Sequence, residues 1–158
     1  MAPLSGDSDE RVSWQAGADQ VQRAFEQSYA GLAELSRKAF SERWIDHAPR
    51  PGKRPGGFCS TSQVTGQSRI FMTFSGNYEE MMTLAHELGH AYHSWVLRDR
   101  DYFGRFYSML LAETASTFNE KLVTDAALSR FVKGVFSRVL KAAIKWRYVT
   151  LAAATTVL

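Results

Sequence analysis

The stretch TLAHELGHAYHSW, residues 83–95, places two histidines four positions apart, with a glutamate directly after the first. On an α-helix, His86 and His90 leave the same face about one turn apart, so both imidazoles can reach one zinc ion at roughly 2.0–2.1 Å. Glu87 lies about 100° further around the helix, where its carboxylate can take a proton from a water molecule and pass it to a leaving amine. This pattern is typical of metallopeptidase helices.

The residues around this stretch predict a helix over about 78–97. Asn77 with Glu80 three positions later resembles a capping box, which is a helix-start signal. Apolar residues recur at helical spacing and form one stripe: Met81, Leu84, Ala85, Leu88, Ala91, Tyr92 and Trp95. The predicted helix is therefore amphipathic.

A catalytic zinc needs a third protein ligand, and the next predicted helix, about 105–124, offers one. Glu113 and Glu120 are seven residues apart, two turns, so they share a face. Two antiparallel helices joined by the charged break RDRDYFG would bring Glu113 opposite His86 and His90, and we expect Glu113 to be the third ligand. Glu120 is either an acceptor for the N–H of a ligand imidazole or a solvated surface carboxylate.

His93 continues the line of histidines but lies about 10 Å along the helix axis from His86, too far to share one ion. We expect it to have a packing or hydrogen-bonding role. For Cys59 the expectation is a small buried residue.

The region before the predicted zinc helix contains two helices, a loop and a hairpin. Helical spacing begins at Ser13, with a break expected at Gly31 and a second short helix over 32–43. The stretch DHAPRPGKRPGG, with three prolines and three glycines, predicts a loop. The following FCSTSQVTGQSRIFMTFSG alternates as strands do and predicts a hairpin with Gly66 in its turn. Its strand SRIFMTF has either an open edge that could pair with an extended peptide or an ordinary buried position.

Composition limits the class of protein. The 158 residues are 45% hydrophobic and 22% charged, as expected of one globular domain with a core. No stretch of 18 apolar residues predicts a membrane span, and the polar start of the chain has no pattern of a signal peptide. One cysteine allows no internal disulfide, so we expect a reducing, cytoplasmic location.

Charge divides the chain unevenly. All 16 acidic residues lie at or before Asp125, whereas residues 126–158 carry six basic residues and no acid. The sequence thus predicts a loose N-terminus over 1–12 and a basic tail over 129–158. A basic amphipathic tail could bind an acidic surface, but it lacks the aromatic ladder typical of nucleic-acid binding, so no nucleic acid is expected.

Four blocks carry a family resemblance: RWIDHAPRPGKRPGGFC, RIFMTF, TLAHELGHAYH and LAETASTFNEKL. From about Ser13 to Leu128 their order and spacing resemble the oligoendopeptidase F branch of the thimet oligopeptidase family, which implies a partial catalytic domain over 13–128. The resemblance implies a mainly α, helical metallopeptidase core with a small β-hairpin or partial sheet beside the zinc helix. It also implies one zinc ion bound by His86, His90 and Glu113, Glu87 as the catalytic base, and short oligopeptides as substrates.

The resemblance also implies features that this chain lacks. Family members are several times longer, and their C-terminal helices supply a histidine and tyrosines that steady the oxyanion and bind substrate. After Leu128 this chain has no histidine and one tyrosine, Tyr148. Two alternatives to an active zinc endopeptidase therefore stay open: an inactive, truncated zinc-binding remnant, and a protein whose basic tail is the functional part. Surfaces that further domains cover in the family would also favour self-association.

Overall fold

The computed structural model of the protein describes the backbone of residues 11–155 and the side chains of residues 11–139, 141 and 142. Within this range the chain is mainly α-helical with one small sheet, which confirms the predicted fold class. The elements in chain order are α1 (Trp14–Ser28), α2 (Ala30–Ser41), β1 (Ile45–Asp46), β2 (Gly57–Thr61), β3 (Ser68–Met72), α3 (Tyr78–Leu97), a 3-10 turn (Phe103–Arg105) and α4 (Met109–Thr155). Most of the predicted loose N-terminus lies outside the described residues.

The three strands form one sheet in the order β1-β3-β2, in which β3 pairs parallel with β1 and antiparallel with β2. The predicted hairpin is confirmed, and Gly66 adopts the left-handed φ of 66° in the connection between β2 and β3. Both edges of β3 are paired, so the open-edge alternative for this strand is wrong. Among the described strands the free edge beside α3 belongs to β2 instead.

The first of two compact units ends at Thr124 and has a continuous apolar core. Helices α1 and α2, the sheet, α3 and the link between α2 and β1 each contribute side chains that are almost fully buried: Val21, Phe25, Leu35, Trp44, Ile70, Met72, Leu84 and Leu88. The predicted apolar stripe of α3, from Met81 to Ala91, packs into this core. The histidines therefore leave α3 on the side away from the core.

The start of α3 is capped as predicted. The Asn77 side chain accepts from the Glu80 backbone N–H at 2.8 Å, and the Glu80 carboxylate accepts from the Asn77 N–H at 3.3 Å. The same carboxylate accepts from the Gly76 N–H at 2.9 Å. The cap therefore ties the end of the sheet region to the helix that carries the histidines.

Several predicted boundaries are wrong. The break between the first two helices is at Tyr29, which is extended, and Gly31 lies inside α2. The helix expected over 105–124 begins at Met109, because the chain makes a 3-10 turn first, and it continues to Thr155. Apolar periodicity locates a helix but does not determine where the backbone changes its turn type.

The predicted buried face of α4 is also wrong. The helical spacing over 105–124 predicts six buried apolar residues: Phe106, Leu110, Leu111, Ala115, Phe118 and Leu122. Four of them are instead at least 56% exposed: Phe106, Leu110, Leu111 and Phe118. The buried stripe of this part of α4 is instead formed by small and polar residues at helical spacing: Ala112, Ser116, Asn119 and Val123. The reason is that α4 turns the face carrying its carboxylates and small residues toward α3, and this leaves the apolar face outside.

The second compact unit begins at Asp125 and is helical as far as Thr155. Six of its large apolar side chains are 40–68% exposed: Leu128, Phe131, Val132, Val135, Phe136 and Val139. No helix within the described residues is long and apolar enough to cross a membrane.

Candidate metal and catalytic centre

Gly89 lets α4 approach α3 closely at the centre of the His-Glu-x-x-His turn. A Cβ atom at position 89 would lie 2.9 Å from the Ser116 Cα and 3.2 Å from the Ala115 carbonyl oxygen, inside normal contact distance. A glycine in a helix interior costs about 0.5–1 kcal/mol relative to alanine. Here the absence of a side chain lets the backbones of the two helices come close together, so that side chains from both helices reach a common point.

Three candidate ligands meet at that point. The Nε2 atoms of His86 and His90 are 3.1 Å apart, and Glu113 Oε2 lies 3.2 Å from His86 Nε2. One ligand atom from each of the three residues falls within 4.8 Å of the others. Two ligands bound to one zinc at about 2 Å each are roughly 3–4 Å apart, so this cluster is the size of a tetrahedral site.

Two neighbours on α4 orient the candidate ligands. Glu120 Oε1 lies 2.5 Å from His86 Nδ1, which directs the other ring nitrogen, Nε2, toward Glu113. The Ser116 hydroxyl donates to Glu113 Oε2 at 3.1 Å and to the Glu113 carbonyl oxygen at 3.0 Å. The structure thus places Glu120 against a candidate ligand imidazole rather than in solvent alone.

Glu87 is the buried acid of the site. Glu87 is 5% exposed, and its Oε2 atom has no hydrogen-bond partner in the described structure. Burial raises the pKa of the Glu87 carboxyl to about 7; the His86 charge opposes this shift and the Glu113 carboxylate adds to it. A carboxylate with a pKa near 7 can both take and return a proton at neutral pH.

Gly57 in β2 leaves the space that Glu87 occupies. A Cβ atom there would lie 3.2 Å from both the Cγ and the Oε1 atoms of Glu87. The first residue of the edge strand is therefore in direct reach of the buried carboxylate, and any larger residue would press on it.

The remaining histidine and the cysteine have other surroundings. His93 stacks on Tyr107 with 4.0 Å between ring centroids, which confirms the predicted packing role. Burial lowers the pKa of His90 and of His93, so both favour the neutral form. Cys59 is half-buried at the cleft wall rather than fully buried, and burial, with the Glu87 charge next, raises the pKa of its thiol to about 12.

A cleft of about 520 Å³ opens beside these groups. His86, Glu87, His90 and Glu113 line one wall, and β2 from Gly57 to Thr61 contributes to the other. A strand with a free edge next to a buried acid and a ligand cluster can hold an extended peptide by main-chain hydrogen bonds.

Sequence reasoning missed the residues that make the site fit together. Gly57, Gly89 and Ser116 have no motif of their own. Asn119, whose side chain donates to the Ala115 carbonyl at 2.7 Å, packs at the same contact between α3 and α4. For Ser116 and Asn119 the available signal was helical spacing: Ser116 follows Glu113 by three positions and Asn119 follows Ser116 by three, so both share the face of Glu113.

Comparison with known proteins places the chain in a family. Peptidase family M3 matches residues 19–140, more than half of the sequence. The chain belongs to peptidase family M3. The match extends twelve residues beyond Leu128, so the family similarity reaches into the segment that the sequence predicted to be a separate basic tail.

Curated relatives are similar over the same region. Oligoendopeptidase F, chromosomal, of Lactococcus lactis subsp. cremoris is 32% identical over 127 residues, covering 80% of this chain and 21% of the relative. Group B oligopeptidase PepB of Streptococcus agalactiae is 37% identical over 97 residues, covering 61% of this chain and 16% of the relative. The chain therefore spans about a fifth of the length of these relatives.

Solved structures share the fold. A crystal structure described as that of a peptidase from Chlamydophila abortus aligns with a TM-score of 0.72 at 26% identity, covering 82% of this chain and 22% of that chain. A Bacillus anthracis protein described as an oligoendopeptidase F aligns with a TM-score of 0.62 at 21% identity, over 78% of this chain and 22% of that one. The second similarity shows the fold alone.

Proposed function

We propose that this chain carries the centre of a zinc metalloendopeptidase that hydrolyses short oligopeptides. The observation that carries the proposal is the convergence of ligand atoms from His86, His90 and Glu113 within 4.8 Å, beside a buried carboxylate with an unpartnered oxygen. Relatives with the words oligoendopeptidase and oligopeptidase in their names support the substrate class.

The donor set fits zinc. Two imidazoles and one carboxylate are the ligands of many catalytic zinc sites, and ligating imidazoles must be neutral. The lowered pKa of His90 favours that form. When bound there, zinc would supply Lewis acidity, which polarises a carbonyl and lowers the pKa of a coordinated water.

The residues of the chain would divide the remaining work. Glu113 and the two histidines hold the ion, and Glu120 orients the His86 ring. Glu87 takes a proton from the attacking water and returns it to the amine of the leaving peptide. The free edge of β2 holds the substrate extended along the cleft.

The experiment combines metal analysis with a quenched fluorescent peptide. The purified chain, loaded with zinc and freed of excess, should contain one equivalent, and Glu113→Ala should contain much less. Glu87→Gln should keep the zinc and lose at least about 100-fold in kcat, since general acid–base catalysis contributes 10²–10⁴-fold. Glu34→Gln, an exposed carboxylate on α2 outside the cleft, is the matched control and should change neither.

Three results would separate the alternatives. Activity that survives Glu87→Gln would remove Glu87 as the base. Stoichiometric zinc without hydrolysis would favour the inactive remnant. No zinc in the unsubstituted chain would contradict the proposed centre. Cytoplasmic location, self-association and a surface-binding role of the basic tail stay predictions from the sequence.

A further inference from the structure

The cleft beside the candidate metal centre continues past it. A second cavity of about 350 Å³ adjoins it, and four residues line both: Thr61, Gln63, Ser94 and Tyr107. The hydroxyls of Ser94 and Tyr107 lie 3.5 Å apart at this junction. The two cavities thus form one groove from Glu87 to the turn of the β-hairpin and the C-terminal end of α3.

Arg105 lines the second cavity with unused hydrogen-bond donors. Its Nε atom donates to the Arg100 carbonyl at 2.9 Å, which fixes a half-buried guanidinium. Within the described residues its two terminal nitrogens have no hydrogen bond or ion pair. The other arginine of the cavity, Arg98, is engaged: it stacks on Trp95 at 4.0 Å and lies 3.6 Å from Asp99.

A fixed guanidinium with a free pair of N–H groups matches a carboxylate, which it can bind through two parallel hydrogen bonds. Hydroxyl and amide side chains from the hairpin complete the cavity: Thr61, Ser62, Gln63 and Thr65. Few apolar groups line it, and the carboxylate in its lining, Asp99, lies 3.6 Å from Arg98, which leaves Arg105 to face an anionic group of a ligand.

The length of the groove sets where that carboxylate lies on a peptide. From His90 to Leu97, which lines the second cavity, α3 advances about 10 Å at 1.5 Å per residue. An extended peptide advances about 3.3 Å per residue. A group bound by Arg105 in the second cavity would thus be about three residues from the bond at the metal centre.

We propose that Arg105 forms a subsite for a carboxylate of the peptide substrate, about three residues from the bond that is cleaved. The proposal deepens the peptidase function proposed above and rests on it. The carboxylate is either an Asp or Glu side chain or the free C-terminus of the peptide, and both offer the same chemistry to the guanidinium.

The test measures binding rather than turnover. Three labelled nine-residue peptides are compared by fluorescence anisotropy on the zinc-loaded full chain carrying Glu87→Gln, which prevents cleavage: one neutral with an amidated C-terminus, one with Asn replaced by Asp, and one with a free C-terminal carboxylate. At least one charged peptide should bind about tenfold more tightly than the neutral one, the gain expected of a charge-assisted hydrogen-bond pair. Arg105→Gln should reduce this advantage to less than twofold, and Arg105→Lys should keep part of it.

Arg100→Gln is the matched control. It removes one positive charge nearby, but its exposed side chain lines neither cavity and its backbone carbonyl still accepts from Arg105. The carboxylate advantage should survive this substitution. Equal binding of all three peptides, or an advantage that persists in Arg105→Gln, would overturn the subsite, while hydrolysis of neutral peptides by the unsubstituted chain would leave the proposed function standing. Failure of every peptide to bind would count against both.

Discussion

The close contact at Gly89 predicts that a methyl group added there would move Glu113 away from His86 and His90. In Gly89→Ala the new Cβ would lie 2.9 Å from the Ser116 Cα and 2.7 Å from the Asn119 Nδ2. Carbon atoms pack at about 3.5–4.0 Å, so the α4 backbone at Ser116 must withdraw by roughly 0.6 Å or more. Asn119 can rotate away only by giving up its 2.7 Å hydrogen bond to the Ala115 carbonyl.

Two effects of the substitution oppose each other in the free energy of unfolding. Overpacking costs about 1–3 kcal/mol, whereas alanine favours a helix interior over glycine by about 1 kcal/mol. The metal-free chain should therefore lose only about 1 kcal/mol of stability. Zinc affinity should change more, because a site tolerates about 0.2 Å of error in ligand distance and Glu113 moves with α4. We expect a loss of at least about tenfold, as for other displaced ligand supports.

The assay is zinc competition against a chromophoric chelator, with urea unfolding of the metal-free chain as the second measurement. Gly134→Ala is the matched control, since a Cβ there meets nothing in the described structure nearer than an Arg138 nitrogen at 4.0 Å. It should gain helix stability and leave zinc affinity unchanged. If Gly89→Ala bound zinc as tightly as the unsubstituted chain, close approach at Gly89 would not be what brings Glu113 to the histidines.

Four further substitutions test the remaining contacts. Glu120→Gln should weaken zinc binding about 10–100-fold in the chelator assay, because the His86 ring loses its charged partner; unchanged affinity would leave Glu120 as a surface carboxylate. Ser116→Ala should weaken zinc binding by a smaller factor, since Glu113 loses one hydrogen bond, and an effect as large as that of Glu120→Gln would contradict this ranking. Asn77→Ala should lower the free energy of unfolding by about 1 kcal/mol through loss of the α3 cap, measured by urea denaturation; no loss would mean that the cap is dispensable. For pH, the folded state holds the Glu87 proton up to about pH 7 and the unfolded chain releases it near its ordinary pKa of 4.5. The stability that the bound Glu87 proton contributes to the metal-free chain is thus present at pH 4, and it is lost as the pH rises toward 7. Between pH 5 and pH 8 the urea midpoint of unfolding should therefore fall less in Glu87→Gln than in the unsubstituted chain. An equal fall in both would refute the raised pKa of Glu87.

The sequence alone determined the features that depend on neighbouring residues along the chain. The placement of His86, Glu87 and His90 on one helix, the capping by Asn77 and Glu80, and the β-hairpin with its Gly66 turn all follow from local spacing and backbone preference. Glu113 could be proposed as a ligand because two antiparallel helices joined by a short break would bring it opposite His86 and His90. That it lies 3.2 Å from His86 required the structure.

Only the tertiary structure decided which surfaces meet. The apolar residues of α4 were expected inside, yet Leu110 and Phe118 are exposed while Ser116 and Asn119 are buried. The physical reason is that burial depends on what the facing element offers. Gly89 offers a space that only small groups fit, so α4 turns its small and polar face inward, and the carboxylates on that face reach the histidines. A periodic pattern in one helix contains no information about the glycine in another.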